Sequence, residues 1–180
     1  MRVNQDITKV IEDKSRSVVG ISKLKDNGNS IFLQEAVQQL GLGTGIVVSD
    51  EGYILTNEHV SGTKYSSCYI TLDTGKEYTG KVVWSNSDID LSIVKINAKG
   101  LKYVNLGDSN QIKIGEKVYA IGNPIGFEFQ RTVTSGIISA LDRTIKLDEN
   151  GSSVYMEDLI QTDATINPGN SGGPLINDEG

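Results

Sequence analysis

Short apolar stretches with alternating character follow one another along most of this 180-residue chain, separated by turn-forming residues. They are rich in Val, Ile and Thr, and the chain contains 20 glycines. This pattern is typical of an antiparallel barrel or sandwich, so we predict an all-β fold. The stretches are SVVGISK (17–23), GTGIVVS (43–49), GYILT (52–56), YITL (69–72), YTGKVVW (78–84), DLSIVKI (90–96), KVYAIG (117–122), TVTSGIISAL (132–141) and DLIQTDA (158–164).

The β pattern is weakest over residues 97–110, which contain two glycines and a polar run. We place the boundary between two β units here, with residues 17–106 in the first and residues 107–180 in the second. Residues 146–153 are polar and include a glycine, which predicts an exposed loop.

Two segments carry helical rather than β periodicity. Residues 1–16 place Ile7, Val10 and Ile11 on one face behind Asp6, so we predict a short amphipathic helix that Asp6 caps. Residues 31–40 also have one apolar helical face. They form either a small packed helix or a mobile loop whose apolar face meets another subunit.

Charge and composition exclude several classes of function. The formal net charge is −6, which disfavours nucleic acid as a partner because phosphate binding needs a basic face. The single cysteine, Cys68, cannot form an internal disulfide, and with the single histidine, His59, it cannot build a Cys/His metal site. No apolar run approaches the length of a membrane-spanning helix.

The sequence NPGNSGGP (167–174) is the strongest candidate for a reactive site. Glycines on both sides of Ser171 permit positive φ angles and leave backbone N–H groups unobstructed. Such a turn can expose the Ser171 hydroxyl and direct the amides of Gly169 and Ser171 at one point, as acyl transfer requires. The alternative is an ordinary tight turn, since Gly-Gly-Pro is common in turns.

A serine nucleophile needs a neighbouring base and a carboxylate that orients the base. His59 is the only imidazole in the chain and follows the apolar stretch that ends near Thr56. Asp88 and Asp90 precede another apolar strand; we choose Asp90 because it directly adjoins that strand, whereas Asp88 is better placed to cap a turn. The order His59, Asp90, Ser171 is that of chymotrypsin-like enzymes.

The chain resembles HtrA (Deg) serine proteases, which belong to the trypsin-like group. The similar segments are GTGIVVSDEGYILTNEHV (43–60), SDIDLSIVKI (87–96), AIGNPIGFEFQRTVTSGIISALDR (120–143) and QTDATINPGNSGGPLIN (161–177). The resemblance implies two six-stranded β-barrels of the chymotrypsin type and ATP-independent endoproteolysis of unfolded or misfolded proteins. It also implies an extracytoplasmic location, assembly as a homotrimer or a multiple of it, and no metal or cofactor.

The resemblance carries over to individual residues. It assigns the catalytic triad to His59, Asp90 and Ser171, and the oxyanion hole to the amides of Gly169 and Ser171, with Asn170 between them. Digestive trypsins have an aspartate at the position of Asn170, which pairs with a newly formed N-terminal ammonium. A neutral amide offers no such partner, so we expect no activation by N-terminal cleavage.

Ile166, five residues before Ser171, matches the position that forms the floor of the primary substrate pocket in the family. An apolar floor favours small aliphatic side chains over Lys or Arg, which would be left unpaired there. The alternative is that Ile166 is an ordinary core residue. Activity is further expected to depend on the ordering of the loops near 146–153 and 162–170.

The resemblance also sets expectations for what lies outside this chain. Family members continue past the equivalent of Gly180 with two strands of the second barrel and, in most cases, a PDZ domain, so we expect an incomplete second barrel and no PDZ domain here. Membrane contact would come only through an N-terminal anchor that the chain lacks. Two other functions compete with proteolysis: a non-proteolytic holdase or scaffold for unfolded chains, and an esterase, which the lack of a GxSxG elbow disfavours.

Overall fold

The structure, a computed structural model, describes residues 6–23, 42–122, 132–149 and 152–180. These residues are mostly β-strand, which confirms the predicted fold class. The strands are β1 (Val18–Lys23), β2 (Leu42–Val47), β3 (Tyr53–Thr56), β4 (Ser67–Thr71), β5 (Glu77–Asn86), β6 (Leu91–Lys95), β7 (Lys117–Gly122), β8 (Thr132–Glu149), β9 (Ser152–Thr162) and β10 (Leu175–Ile176). The helices are α1 (Ile7–Ser15), α2 (Glu58–Ser61) and a 3-10 turn (Ser109–Gln111).

The first six strands close into an antiparallel barrel in the order β1-β2-β3-β6-β5-β4. Alternate residues of each strand point inward, and the interior is filled by aliphatic side chains and Cys68. Gly45 and Gly80 face this interior at places where Ile54 and Val94 leave no room for a Cβ atom. The predicted closed first barrel is therefore confirmed.

The remaining strands form a four-stranded sheet in the order β10-β7-β8-β9. Strand β7 pairs with only the first part of β8, from Thr132 to Ile137, and the rest of β8 continues in a long hairpin with β9. The predicted incomplete second barrel corresponds to this open sheet.

Helix α1 packs against the second sheet. Asp6 caps it as predicted, accepting a hydrogen bond from Thr8 N at 3.1 Å. Val10 lies in a cluster with Tyr119 of β7 and Ile176 of β10. Among the described residues, no helix combines the length and apolar character needed to cross a membrane.

The structure differs from the sequence predictions at residues 146–153 and in two short elements. The loop predicted at 146–153 is wrong, because β8 runs to Glu149 and β9 begins at Ser152. Polar residues pair at the tip of this hairpin, such as Asp148 with Ser153, but Ile145 and Leu147 alternate with polar residues, a strand signal that sequence reasoning missed. The short elements α2 and β10 were not predicted, and the predicted helical segment 31–40 lies outside the described residues.

Candidate active site

His59 lies on α2, a single helical turn that begins two residues after the end of β3. The sequence pattern had indicated a strand end at this position. Asn57 holds this turn against the start of β6, because its side-chain Nδ2 donates to the backbone oxygen of Asp90 at 2.8 Å. The His59 side chain is 56% exposed, so the ring is accessible from solvent.

Asp90 directly precedes β6 and adopts a left-handed conformation with φ 49°. Its Oδ2 lies 2.6 Å from His59 Nδ1, and its Oδ1 accepts the backbone N–H of His59 at 2.9 Å. The carboxylate thus contacts both the ring and the main chain of His59 and fixes the ring's orientation. With Nδ1 facing Asp90, Nε2 is the ring nitrogen directed elsewhere. Asp88, the other candidate, contacts Asn86 through its backbone N–H instead.

Two buried serines fasten α2 to β6 behind the His59–Asp90 pair. Ser61 and Ser92, 1% and 0% exposed, have their hydroxyl oxygens 2.6 Å apart. The Ser92 hydroxyl also lies 3.3 Å from the backbone oxygen of Asn57 and donates to it. Sequence reasoning missed both residues. A serine at an inward position of an apolar strand, as Ser92 is on β6, was the available signal.

The segment around Ser171 is a series of tight turns. Asn170 N donates to Asn167 O at 3.0 Å, and Gly173 N donates to Asn170 O at 2.8 Å. Gly172 has φ +82°, and a Cβ atom there would lie 2.1 Å from the backbone oxygen of Thr44. Only glycine fits this position, for both conformational and steric reasons.

Contacts with β2 bring the Ser171 segment to the first barrel. Thr44 N donates to Ser171 O at 2.8 Å, and Thr44 Oγ1 donates to Gly169 O at 2.6 Å. The backbone oxygen of Thr44 in turn accepts from Thr56 Oγ1 at 2.6 Å. Thr56 is the last residue of β3 and lies three residues before His59. The segments that carry His59 and Ser171 are therefore neighbours at the junction of the two β units.

The amides of Gly169 and Ser171 are the predicted oxyanion donors. Within the part of the chain that the structure describes, neither N–H donates a hydrogen bond. Gly169 is buried, and buried backbone donors are almost always paired. Two unpaired N–H groups that flank one residue are suited to binding a negatively charged oxygen.

Asn170, between these amides, is 8% exposed, and its Oδ1 has no hydrogen-bond partner among the described residues. The side chain packs against Gly122 at the end of β7, where a Cβ atom would lie 2.3 Å from Asn170 Oδ1. The asparagine thus places a neutral amide at an interior position.

Ile166, the predicted pocket residue, is 58% exposed, so its side chain lies largely at the surface. Among the described residues, no group of three or more His, Cys, Asp or Glu side chains is arranged to hold a metal ion.

Comparison with known proteins identifies the family of the chain. The trypsin-like peptidase domain family matches residues 43–180. The chain is 43% identical over 183 residues to "Serine protease Do-like HtrB" of Bacillus subtilis, with 97% of this chain and 40% of the relative covered. It is 46% identical over 138 residues to "Probable periplasmic serine endoprotease DegP-like" of Chlamydia muridarum, with 77% and 26% covered.

Solved structures show the same relationship. "HtrA-type protease AlgW with tripeptide" superimposes with a TM-score of 0.77 at 36% identity, covering 96% of this chain and 51% of that chain. The chain spans less than half the length of the curated relatives named above, for example 40% of the Bacillus protein. The matched residues run from Gly43 in β2 to Gly180 and include His59, Asp90 and the Ser171 turn. The chain therefore belongs to the trypsin-like peptidase domain family, and the relatives it resembles are HtrA-type serine proteases.

Proposed function

We propose that the protein is a serine endopeptidase that works through an acyl-enzyme on Ser171, with His59 as its base and Asp90 as the residue that orients it. The observation that carries this proposal is the 2.6 Å contact between the only imidazole of the chain and a carboxylate, beside a glycine-rich serine turn. The names of the relatives, serine proteases and endoproteases, support the same activity.

The first half of the reaction forms the acyl-enzyme. His59 Nε2 takes the proton of the Ser171 hydroxyl as Ser171 Oγ attacks the carbonyl carbon of a peptide bond. The carbonyl oxygen becomes an oxyanion, which the N–H groups of Gly169 and Ser171 stabilise. The imidazolium, held by the Asp90 carboxylate, then donates its proton to the leaving nitrogen as the C–N bond breaks.

The second half releases the product. A water molecule gives a proton to His59 Nε2 and adds its oxygen to the acyl carbon, again forming an oxyanion. The ester bond to Ser171 Oγ breaks and the hydroxyl regains its proton from the imidazolium, so the enzyme returns to its starting state. Neither half needs ATP, a metal or a cofactor.

The finer assignment concerns substrate and place. We propose that the substrates are unfolded or misfolded polypeptides, that the enzyme acts outside the cytoplasm, and that it assembles as a homotrimer. The word "periplasmic" in the names of several relatives supports the location, and the tripeptide that accompanies AlgW in its solved structure supports a peptide substrate. We also propose that Ile166 lines the primary substrate pocket, where bound substrate would cover its side chain.

A fluorophosphonate probe tests the activity directly, because it reacts only with an activated serine hydroxyl. We expect the protein to be labelled on Ser171 and to cleave an unfolded substrate such as reduced casein. Ser171→Ala should abolish both. Ser109→Ala, which removes a serine hydroxyl from the 3-10 turn outside the site, is the matched control and should retain both. Suppression of aggregation without any labelling or cleavage would instead favour the holdase function.

A further inference from the structure

Thr44 is a buried polar residue that the catalytic steps above do not use. It is 0% exposed and lies on β2 between Gly43 and Gly45, on the side of the first barrel that meets the second unit. Its hydroxyl donates to Gly169 O at 2.6 Å and its backbone N–H donates to Ser171 O at 2.8 Å. Thr44 thus contacts the carbonyl oxygens of Gly169 and Ser171, the two residues proposed to supply the oxyanion-hole N–H groups.

These contacts determine how the peptide planes of the turn are oriented. In a trans peptide, the C=O and the N–H point in opposite directions. The plane that joins Gly169 to Asn170 is held at both ends, by Thr44 Oγ1 at the oxygen and by Asn167 O at the N–H. The next plane is held through Asn170 O, which accepts from Gly173 N, so the Ser171 N–H must point the other way.

We propose that the Thr44 hydroxyl is a positioning group that sets the direction of the oxyanion-hole amides. This inference rests on the proposed function. Thr44 touches no reacting atom in this scheme; it acts through the Gly169 carbonyl. Without the hydroxyl, the plane between Gly169 and Asn170 loses its anchor to the first barrel, and the adjoining plane that carries the Gly169 N–H can rotate out of place. The nucleophile and base are untouched, so binding of the substrate ground state should change little.

The test compares Thr44→Val, which keeps the shape and removes the hydroxyl, with Thr44→Ser, which keeps the hydroxyl. Thr44→Val should lower kcat about 10-fold, less than the 10²–10³-fold loss typical of removing a donor outright. KM should stay within about twofold, as expected when only transition-state interactions are lost. Thr44→Ser should restore kcat to within about threefold of the wild type.

A second readout separates positioning from general stability. A peptide boronate forms a tetrahedral adduct on an active serine, and its affinity should fall in step with kcat in Thr44→Val while the affinity for the cleaved product peptide does not. Tyr119→Phe is the matched control, since it deletes the hydroxyl of another buried residue, which donates to Asp178 at 3.0 Å. It should leave kcat and boronate affinity unchanged.

The outcomes distinguish this inference from the proposed function. Wild-type protein that neither labels nor cleaves defeats both. If the wild type is active and Thr44→Val has the same kcat and boronate affinity as the wild type, the inference alone is wrong. It is also wrong if the kcat of Thr44→Ser is no higher than that of Thr44→Val. If Thr44→Val does not fold, Thr44→Cys replaces it, with similar volume and a much weaker donor, and the same loss is expected.

Discussion

The two β units share a strand order but differ in closure. The open sheet has the strand order β10-β7-β8-β9. Four neighbouring strands of the closed barrel have the order β4-β1-β2-β3, so in both units the fourth strand pairs with the first. In the barrel, β5 and β6 complete the ring. Within the described residues of the second unit, β9 and β10 each have only one neighbour.

The two units contribute different residues to the candidate site. His59 and Asp90 come from the closed barrel, where α2 and β6 are fastened by the buried Ser61–Ser92 pair. Ser171 comes from the turn between β9 and β10 of the open sheet and is held by hydrogen bonds to Thr44 in the barrel. The closed barrel thus supplies the anchor for the turn of the open sheet that carries Ser171, the proposed nucleophile.

The largest expected effect is on the part of the site that the barrel supplies. Asp90→Asn should leave the fold intact and lower kcat about 10⁴-fold, because an amide facing Nδ1 favours the wrong tautomer and cannot stabilise the imidazolium. Steady-state cleavage of an unfolded substrate measures this loss. Asp88→Asn is the control, because the Asp88 main chain rather than its carboxylate makes the local contact. Equal activity in both variants would remove Asp90 from the triad.

Much of this site could be predicted because its chemistry needs rare residues. The chain has a single histidine, and Ser171 lies in a glycine-rich turn, so these two candidates follow from residue type alone. Asp90 is predicted from its place beside β6, and the structure puts it 2.6 Å from His59. Thr44 escapes recognition, because a threonine in a β-strand satisfies ordinary strand propensity and nothing in the sequence identifies its partner 125 residues away.

The fold was predictable where strands bury one face and not where they bury neither. Strand β7 was predicted with its observed bounds, Lys117 to Gly122, since apolar side chains define it. The polar end of the β8–β9 hairpin and the two-residue strand β10 have no such signal. The four residues of α2 are too few to show helical periodicity, so its helical conformation follows from tertiary contacts with β6.

The second expected effect compares the two cores with the same chemical change. Ile54→Ala, at a fully buried barrel position, should cost about 4 kcal/mol of unfolding free energy, and Ile176→Ala, on the short edge strand β10, about 2 kcal/mol. The difference arises because a closed barrel cannot relax around a cavity, whereas an edge strand can shift. Urea unfolding monitored by far-ultraviolet circular dichroism, which reports the strands of both units, measures both losses. Equal losses would show that closure does not make the barrel the stiffer unit.

A smaller effect is expected at α1, which covers the open sheet. Val10→Ala should lower the unfolding free energy by about 1–2 kcal/mol through lost contact with Tyr119 and Ile176. Hydrogen exchange should accelerate in β7 and β10 and near Val18 of β1, which lies in the same cluster, while the other barrel strands keep their protection. Lys9→Ala, on the exposed face of the same helix, controls for helix propensity. Uniform acceleration across both units would mean that they unfold together.

The smallest effect concerns the connection between the units. Hydrogen bonds from the Asn110 N–H and from the side chains of Gln111 and Asn110 hold the pKa of Asp108 below its ordinary value. Because the folded-state pKa is the lower one, the stabilisation is fully present above the unfolded-state pKa of about 3.9 and is lost as pH falls through the folded value.

Asp108→Asn should therefore lower the melting temperature slightly at pH 7. The difference in melting temperature between the variant and the wild type should become smaller below about pH 4, where the wild-type carboxylate gains its proton. Melting curves of the two proteins between pH 7 and pH 3 measure this convergence. A gap that widens towards acid pH would contradict the sign of the shift and show that the carboxylate does not stabilise the 3-10 turn between the barrel and the open sheet.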